Sequence, residues 1–163
     1  MRKKLCLILG AVCGMALLAR CGGETQNAAS SSPQAEPETT HETDKKEQTT
    51  MKMNVQIGDQ TFTATLADTT AAQEFAQLLP MTITLDDYGG FEKVGSLGRS
   101  LTTSNSQTTT TAGDIVLYNG SNIVMFYGSN SWSYTRLGKI DDLTDWENAL
   151  GSGSVTVILT LVD

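Results

Sequence analysis

Residues 117–140, LYNGSNIVMFYGSNSWSYTRLGKI, carry the strongest signals for secondary structure in this sequence. Its apolar positions flank Asn119-Gly120, and Asn-Gly is the strongest short-range signal for a β-hairpin because both residues tolerate a positive φ. Residues 131–140 predict a further short strand after the hairpin. The stretch therefore predicts antiparallel β-structure that carries several aromatic side chains and one arginine.

Three other segments predict strands by alternating polar and apolar residues. They are 53–66, which is divided by a Gly-Asp turn, 81–85, and the last residues, 154–163. In the first and last of these segments, the apolar side chains that alternation places toward a core are Met53, Val55, Ile57, Phe62, Ala64, Leu66, Val155, Val157, Leu159 and Leu161.

Helical spacing is confined to two segments. DTTAAQEFAQLLP (68–80) predicts the main helix, with Asp68 as its N-cap and Pro80 at its end. LTDWENAL (143–150) predicts a short second helix. Many short strands with one main helix are typical of a mainly β protein that closes into a barrel.

Two segments between the strands show no regular period. The first, DDYGGFEKVGSLGRSL (86–101), is rich in glycine, and we expect it to be irregular. The second, SNSQTTTTAG (104–113), is polar, and we expect it to form a long exposed loop.

The beginning of the chain predicts export. Residues 1–21 have a basic start and an apolar run of signal-peptide length. LLARCGG (17–23) resembles the lipobox of bacterial lipoproteins, which implies a lipid on Cys21, although Arg20 stands where that pattern has Gly, Ala or Ser. We expect a protein anchored by lipid outside the cytoplasmic membrane; the alternatives are secretion and retention on an uncleaved leader.

Residues 22–50 predict a disordered tether because they are rich in Ser, Thr, Glu, Gln and Pro and cannot bury enough apolar surface to fold. The folded domain is predicted over 51–163. The chain has a net charge of −7, and its leader holds several of the basic residues. A basic phosphate-binding surface is therefore not expected, and nucleic acid is not a predicted partner.

The residue types of 51–163 exclude several chemistries. All three cysteines lie in the leader, and the one histidine, His41, lies in the predicted tether. Triads with a catalytic histidine or cysteine and the usual zinc sites are therefore excluded from the domain. The paired acids Asp86-Asp87 and Asp141-Asp142 are predicted to be solvated turn residues, and we expect no metal and no cofactor.

A candidate ligand site centres on Arg136. Trp132 and Arg136 share one face of an alternating strand, and Tyr88 and Phe91 lie on a glycine-rich segment where a ligand could approach the backbone. With Tyr127, these residues could form an aromatic groove in which arginine supplies directed hydrogen bonds. The alternative is that the aromatic residues belong to the barrel core and Arg136 forms a surface ion pair.

Two ordered segments resemble the bacterial cyclophilin-like domain family: MTITLDDYGGFEKVGSLGRSL (81–101) and AGDIVLYNGSNIVMFYGSNSWSYTRLGKI (112–140). The resemblance covers 51–163. It implies a closed cyclophilin-like β-barrel of about eight strands with a helix over one end. Such modules occur on exported and flavodoxin-associated bacterial proteins, mostly without an assigned activity.

The resemblance does not extend to the prolyl isomerase signature. The Phe-His-Arg-Val segment, the Gly-Phe-Met-x-Gln-Gly-Gly-Asp segment and the later Trp and His of cyclophilins are missing, so no catalytic residue is assigned. We therefore predict a non-catalytic module that binds a peptide or small molecule. The alternatives are a degenerate peptidyl-prolyl isomerase and a structural accessory domain.

Overall fold

A computed structural model describes residues 50–162. In this part of the chain the backbone forms nine strands and two helices. Their bounds are β1 Lys52–Ile57, β2 Gln60–Leu66, α1 Thr70–Ala76, β3 Met81–Tyr88, β4 Glu92–Ser96, β5 Ser106–Thr109, β6 Asp114–Tyr118, β7 Asn122–Phe126, β8 Ser131–Ile140, α2 Trp146–Leu150 and β9 Val155–Leu161. The predicted signal peptide, and the predicted tether except Thr50, lie outside the described residues.

Eight of these strands form a closed antiparallel barrel. Their order is β2-β1-β9-β3-β4-β7-β6-β8, and a pairing between β2 and β8 closes the ring. The short strand β5 pairs with β8 outside the ring. Closure removes the free edges that an open sheet would expose. The predicted mainly β barrel with one main and one short helix is confirmed.

Both hairpins form where the sequence predicts them. Gly58 in the turn between β1 and β2 has a φ of 57°. Asn119 and Gly120 in the turn between β6 and β7 have φ values of 50° and 73°. Two successive residues with positive φ match the twist of the flanking strands, which is why Asn-Gly is favoured there.

The main core fills the barrel interior. The alternating apolar residues of β1 and β2 are buried, as predicted, and so are Val157 and Leu159 of β9. Helix α1 adds Phe75, and α2 adds Trp146, whose ring packs edge-on against Phe62 at 5.0 Å. The Trp146 indole also donates a hydrogen bond to the carbonyl of Phe126 (2.9 Å), so its polar atom is satisfied inside the core.

The boundaries of α1 differ from the prediction. The N-cap is Thr69, not Asp68: the Thr69 hydroxyl accepts a hydrogen bond from the Ala72 N–H (3.1 Å). The helix ends at Ala76, before Pro80. Threonine and aspartate are both good caps, so local preference alone does not separate two adjacent candidates.

The two segments without a regular period each contain a strand. Strand β4 lies within the segment predicted to be irregular and pairs with β3 and β7. Strand β5 lies within the predicted exposed loop, where Thr108 and Thr110 are buried. Both predictions were wrong because these strands are stabilised by distant partners and lack an alternating apolar pattern of their own.

Candidate functional site

The outer wall of the barrel carries a second apolar cluster. Val116, Val124, Phe126 and Tyr134 alternate with core residues on β6, β7 and β8, yet they are also buried. The outward face of a barrel strand is normally solvated. Another part of the chain must therefore cover this wall.

Tyr134 of β8 packs on this wall against Phe126, and residues 131–134 pair with β5 to form a two-stranded arm. Strand β8 pairs with β6 through Thr135–Lys139, but its first residues pair with β5 instead. The base of the arm is held at Asn130, whose carbonyl accepts from the N–H and the hydroxyl of Thr110 (2.8 and 3.0 Å). The Asn130 side chain donates to the Tyr134 hydroxyl (3.0 Å).

Between the arm and the wall lies a cavity of about 370 Å³, hereafter the aromatic groove. Its rim carries two large exposed rings, because Tyr88 is 66% and Trp132 is 57% exposed. The cavity is within the usual size range of small-ligand pockets. It is lined by Tyr88, Glu92, Val94, Tyr118, Asn122, Val124, Asn130, Trp132 and Tyr134.

The floor of the groove is held by edge-to-face aromatic contacts. The Tyr134 ring lies 6.1 Å from the Tyr118 ring and 5.7 Å from the Phe126 ring. Burial raises the pKa of the Tyr134 phenol, whose hydroxyl is already bonded to Asn130. These rings are therefore positioned before any ligand binds, which lowers the entropic cost of binding.

Glu92 is the unusual member of this groove. The residue is 6% exposed, and its buried Oε2 atom has no hydrogen-bond partner within the part of the chain that the structure describes. It lies on β4 opposite Tyr88 of β3 and Phe126 of β7, and none of the ion pairs within residues 50–162 includes it. Burial raises the pKa of its carboxyl to about 7. A buried acceptor without a partner costs about 1–3 kcal/mol, so folding alone does not favour this arrangement.

Lys93, the next residue of β4, points to the other face and is fully satisfied. Its ammonium, 0% exposed, donates to Asp87 Oδ2 (2.8 Å) and to the carbonyls of Gly151 (2.9 Å) and Gly153 (2.6 Å). These bonds use all three of its donor hydrogens. Lys93 and Asp87, with the two glycine carbonyls, are called the lysine clamp below; the clamp ties β3 and β4 to the loop after α2.

Tyr127 completes the clamp from the side. Its hydroxyl donates to Asp87 Oδ2 (2.7 Å), and the Lys93 ammonium lies 5.5 Å from its ring centre. The bonds from Lys93 and then Tyr127 lower the pKa of Asp87, whereas burial and then Asp87 raise the pKa of Tyr127 to about 12. The interpretation of Asp87 as a solvated turn acid was wrong, because β4 places a lysine beside it.

The structure separates the five residues of the predicted ligand site. Tyr88 and Trp132 meet in the aromatic groove. Phe91 packs against the second apolar cluster, so close to Gly128 that an added side chain there would meet its Cβ at 2.7 Å. Tyr127 belongs to the lysine clamp. The binding role of each residue stays a prediction, but the five do not line one cavity.

Arg136 lies outside the groove on the same wall. Its guanidinium is 3.5 Å from Asp114 Oδ1, and Lys139 contacts the same carboxylate atom at 3.4 Å. The Arg136 side chain is 49% exposed, whereas that of Asp114 is nearly buried. Shared strand parity placed Arg136 on the correct face, but β8 changes partner after Tyr134, and the ion pair with Asp114 holds the arginine near β6.

Glu92 and Tyr118 were not predicted as site residues, and they contribute much of the chemistry of the groove. The sequence signal for Glu92 is weak. It is an acidic residue two positions before Val94, on a strand that shows no alternation of apolar residues. Within residues 50–162, no three His, Cys, Asp or Glu side chains lie close enough to hold a metal ion. In the same residues, no helix has the length and apolar character needed to span a bilayer.

Comparison with known proteins bears on the fold. The solution structure of a hypothetical protein from Archaeoglobus fulgidus is similar, with a TM-score of 0.52 and 15% identity over 68% of this chain and 94% of that chain. This likeness is one of fold alone. No curated protein matches the chain significantly. The sequence pattern of the cyclophilin-like family matches residues 55–161, which include the whole barrel except the first three residues of β1. The chain therefore belongs to the cyclophilin-like family.

Proposed function

We propose that the domain is a non-catalytic binding module whose ligand, a short peptide segment or a small molecule, occupies the aromatic groove. The observation that carries the proposal is Glu92, a residue of the cavity wall whose buried Oε2 has no partner among residues 50–162. Buried polar atoms in native proteins nearly always have a partner, and a ligand would supply the missing one.

The exposed rings on the rim support the same proposal. Tyr88 and Trp132 are large apolar side chains that face solvent on the two sides of one cavity. Single exposed apolar residues are ordinary, but two aromatic rings that flank a concave site are typical of binding surfaces. Tyr and Trp also offer contact area at low entropic cost.

Binding fits the lining residues better than catalysis does. A carboxyl with a pKa of about 7 can exchange protons near neutral pH. The other lining side chains are phenols, amides, valines and an indole, which suit contact and hydrogen bonding.

The full chain, labelled with ¹⁵N, provides the test. We expect a screen of neutral aromatic fragments and capped dipeptides to shift the indole N–H signal of Trp132 and leave that of buried Trp146 in place. The control is Trp132→Ala, which should lose binding while keeping its fold. Shifts that spread elsewhere, or fragments that bind Trp132→Ala equally well, would contradict the proposal.

We also propose that the module is exported and anchored by lipid on Cys21. The lipobox-like segment and the polar residues after it support this proposal. A single acyl chain holds a protein only marginally, whereas two or more anchor it stably. Labelling of cells with a fatty-acid analogue should mark the protein, and Cys21→Ser should lose the mark. An unlabelled wild-type protein in the medium would favour the secreted alternative.

The isomerase alternative stays a prediction with its own test. Arg99 borders a shallow surface beside α1, and Arg136 is paired with Asp114, so neither arginine lines the groove. Uncatalysed prolyl isomerisation takes tens to hundreds of seconds, and a catalyst would be plain in a refolding assay. We expect no acceleration; an acceleration that is lost in Glu92→Gln would establish the enzyme.

A further inference from the structure

We infer that the ligand of the aromatic groove carries a positively charged amino group on an apolar body, and that Glu92 is its counter-ion. This inference rests on the proposed function, because it assigns the chemistry of a ligand at that site. It is supported by the buried carboxyl of Glu92, by the aromatic rings around it and by the pairing of nearby cations with other groups.

Glu92 determines which hydrogen-bonding group and which charge the ligand needs. Its buried Oε2 needs a hydrogen-bond donor, and an ionised carboxylate only accepts. A neutral hydroxyl or amide could donate, but a charged donor forms a bond about twice as strong and also compensates the buried charge. An ammonium group satisfies both requirements.

The protein keeps its own cations away from this carboxylate. Lys93 points to the opposite face of β4, where all its donor hydrogens are used. Arg136 and Lys139 are both held at Asp114. Among the described residues, therefore, the ion pairs leave Glu92 free to receive a charge from outside.

The rings around Glu92 favour the same charge. Tyr88, Tyr118, Trp132 and Tyr134 line the cavity with it. The face of an aromatic ring is electronegative and attracts a cation within about 6 Å of its centre. An anionic ligand would meet the Glu92 carboxylate and these ring faces without a compensating cation, so it is disfavoured.

The affinity for a cationic ligand should fall as the pH is lowered. The titratable groups around Glu92 are phenols: Tyr88, Tyr118 and Tyr134 line the groove with it, and its charge also acts on Tyr127. A cation binds ionised Glu92, whereas the free protein holds a proton there below about pH 7. Binding must therefore release that proton at lower pH, and the apparent affinity should be roughly tenfold weaker at pH 6 than at pH 8.

The experiment compares three small probes on the full chain: phenethylamine, phenethyl alcohol and 3-phenylpropionate. At pH 8 we expect the amine to bind at least about tenfold more tightly than the alcohol, and the acid to bind least. The Trp132 indole signal reports occupancy, and the Trp146 indole signal serves as the internal reference.

Two matched variants assign the preference. Glu92→Gln keeps the shape of the side chain but should abolish the preference for the amine and its pH dependence. Asp59→Asn makes the same carboxyl-to-amide change in the exposed β1–β2 turn and should leave both unchanged. Thermal melting of both variants shows that the fold is kept.

A further pair of probes distinguishes the two sources of an ammonium group, a peptide and a small molecule. Acetyl-Phe-Lys-amide carries it on a peptide, and phenethylamine carries it on a small molecule. Tighter binding of either one than of its alcohol or norleucine counterpart supports the inference, and the tighter of the two identifies the source.

Two results would overturn the inference in distinguishable ways. If the alcohol or the acid binds Trp132 as tightly as the amine, the cationic ligand is wrong and the proposed binding function survives. If no probe, charged or neutral, shifts Trp132 up to about 10 mM, the inference and the proposed function fail together.

Discussion

Glu92 and Lys93 are adjacent on β4, are both buried and carry opposite charges, yet their surroundings differ completely. Lys93 points to the lysine clamp, where Asp87 and two carbonyls satisfy its ammonium. Glu92 lines the aromatic groove, and none of the described residues supplies a partner to its buried Oε2. Strand alternation places the two side chains on opposite faces, so one residue serves each region.

The difference separates a structural charge from a functional one. A buried ion that is fully hydrogen-bonded within the chain contributes to a specific fold, and its removal exposes unmet partners. A buried acid without a partner costs stability, and that cost is expected where a site serves another purpose. The lysine clamp is therefore interpreted as structure, and the aromatic groove as the surface that meets a ligand.

Breaking the clamp should have the largest effect. Lys93→Met leaves two carbonyls without their donor and leaves Asp87 Oδ2 with the Tyr127 hydroxyl only. We expect a loss of about 3–5 kcal/mol in the free energy of unfolding. Urea denaturation at pH 7 measures it. The control is Lys52→Met, which breaks an exposed pair with Asp141 and should cost about 0–1 kcal/mol. Equal costs for the two variants would contradict the structural role of Lys93.

Titrating Glu92 should have the next largest effect. Because its pKa is raised from 4.5 to about 7 by burial, the folded protein holds a proton that the unfolded chain releases between these values. The free energy of unfolding should therefore fall as pH rises through this interval, by an amount on the order of 2 kcal/mol.

The difference between wild type and Glu92→Gln isolates this effect. The carboxyls with lowered pKa, such as Asp87 and Asp141, act in the opposite sense: their contribution is lost as pH falls below about 4. Denaturation curves at intervals from pH 4.5 to 8 provide the measurement. A wild-type slope that persists in Glu92→Gln would show that another group is responsible.

Removing the exposed ring of Trp132 should leave the fold intact, whereas removing the buried ring of Trp146 should not. Trp132→Ala deletes a ring that is 57% exposed, so we expect a stability change of about 1 kcal/mol or less. Trp146→Ala, by contrast, empties a buried site and should cost about 3–5 kcal/mol. If both variants unfold alike in thermal melts, Trp132 belongs to the core of the protein and not to a binding rim.

The smallest effect is expected at Arg136. Arg136→Ala leaves Asp114 with Lys139 and with the N–H of Thr111 (2.8 Å), so the expected loss is about 0.5 kcal/mol. Ligand affinity at the groove should not change, which isothermal titration with phenethylamine would measure. A clear loss of affinity would support the binding role that the sequence predicts for Arg136.

Local patterns account for the parts of the fold that were predicted. The turns at Gly58 and Asn119-Gly120 require positive φ, and their residues show it directly. The core strands β1, β2 and β9 alternate apolar and polar residues, so their buried faces follow from parity. The missed strands, β4 and β5, have charged or threonine-rich sequences, and their pairing depends on partners far along the chain.

Periodicity and residue type are local properties, so the barrel, its main core and the lack of histidine and cysteine in 51–163 can be predicted without the structure. Which polar side chains are buried depends on packing between elements that are distant in the sequence. Glu92 is buried on a wall that it shares with Trp132 and Tyr134 of β8, and Lys93 is buried where the loop after α2 supplies two carbonyls. Burial of a charge depends on the elements that pack over it, and no pattern within β4 records them.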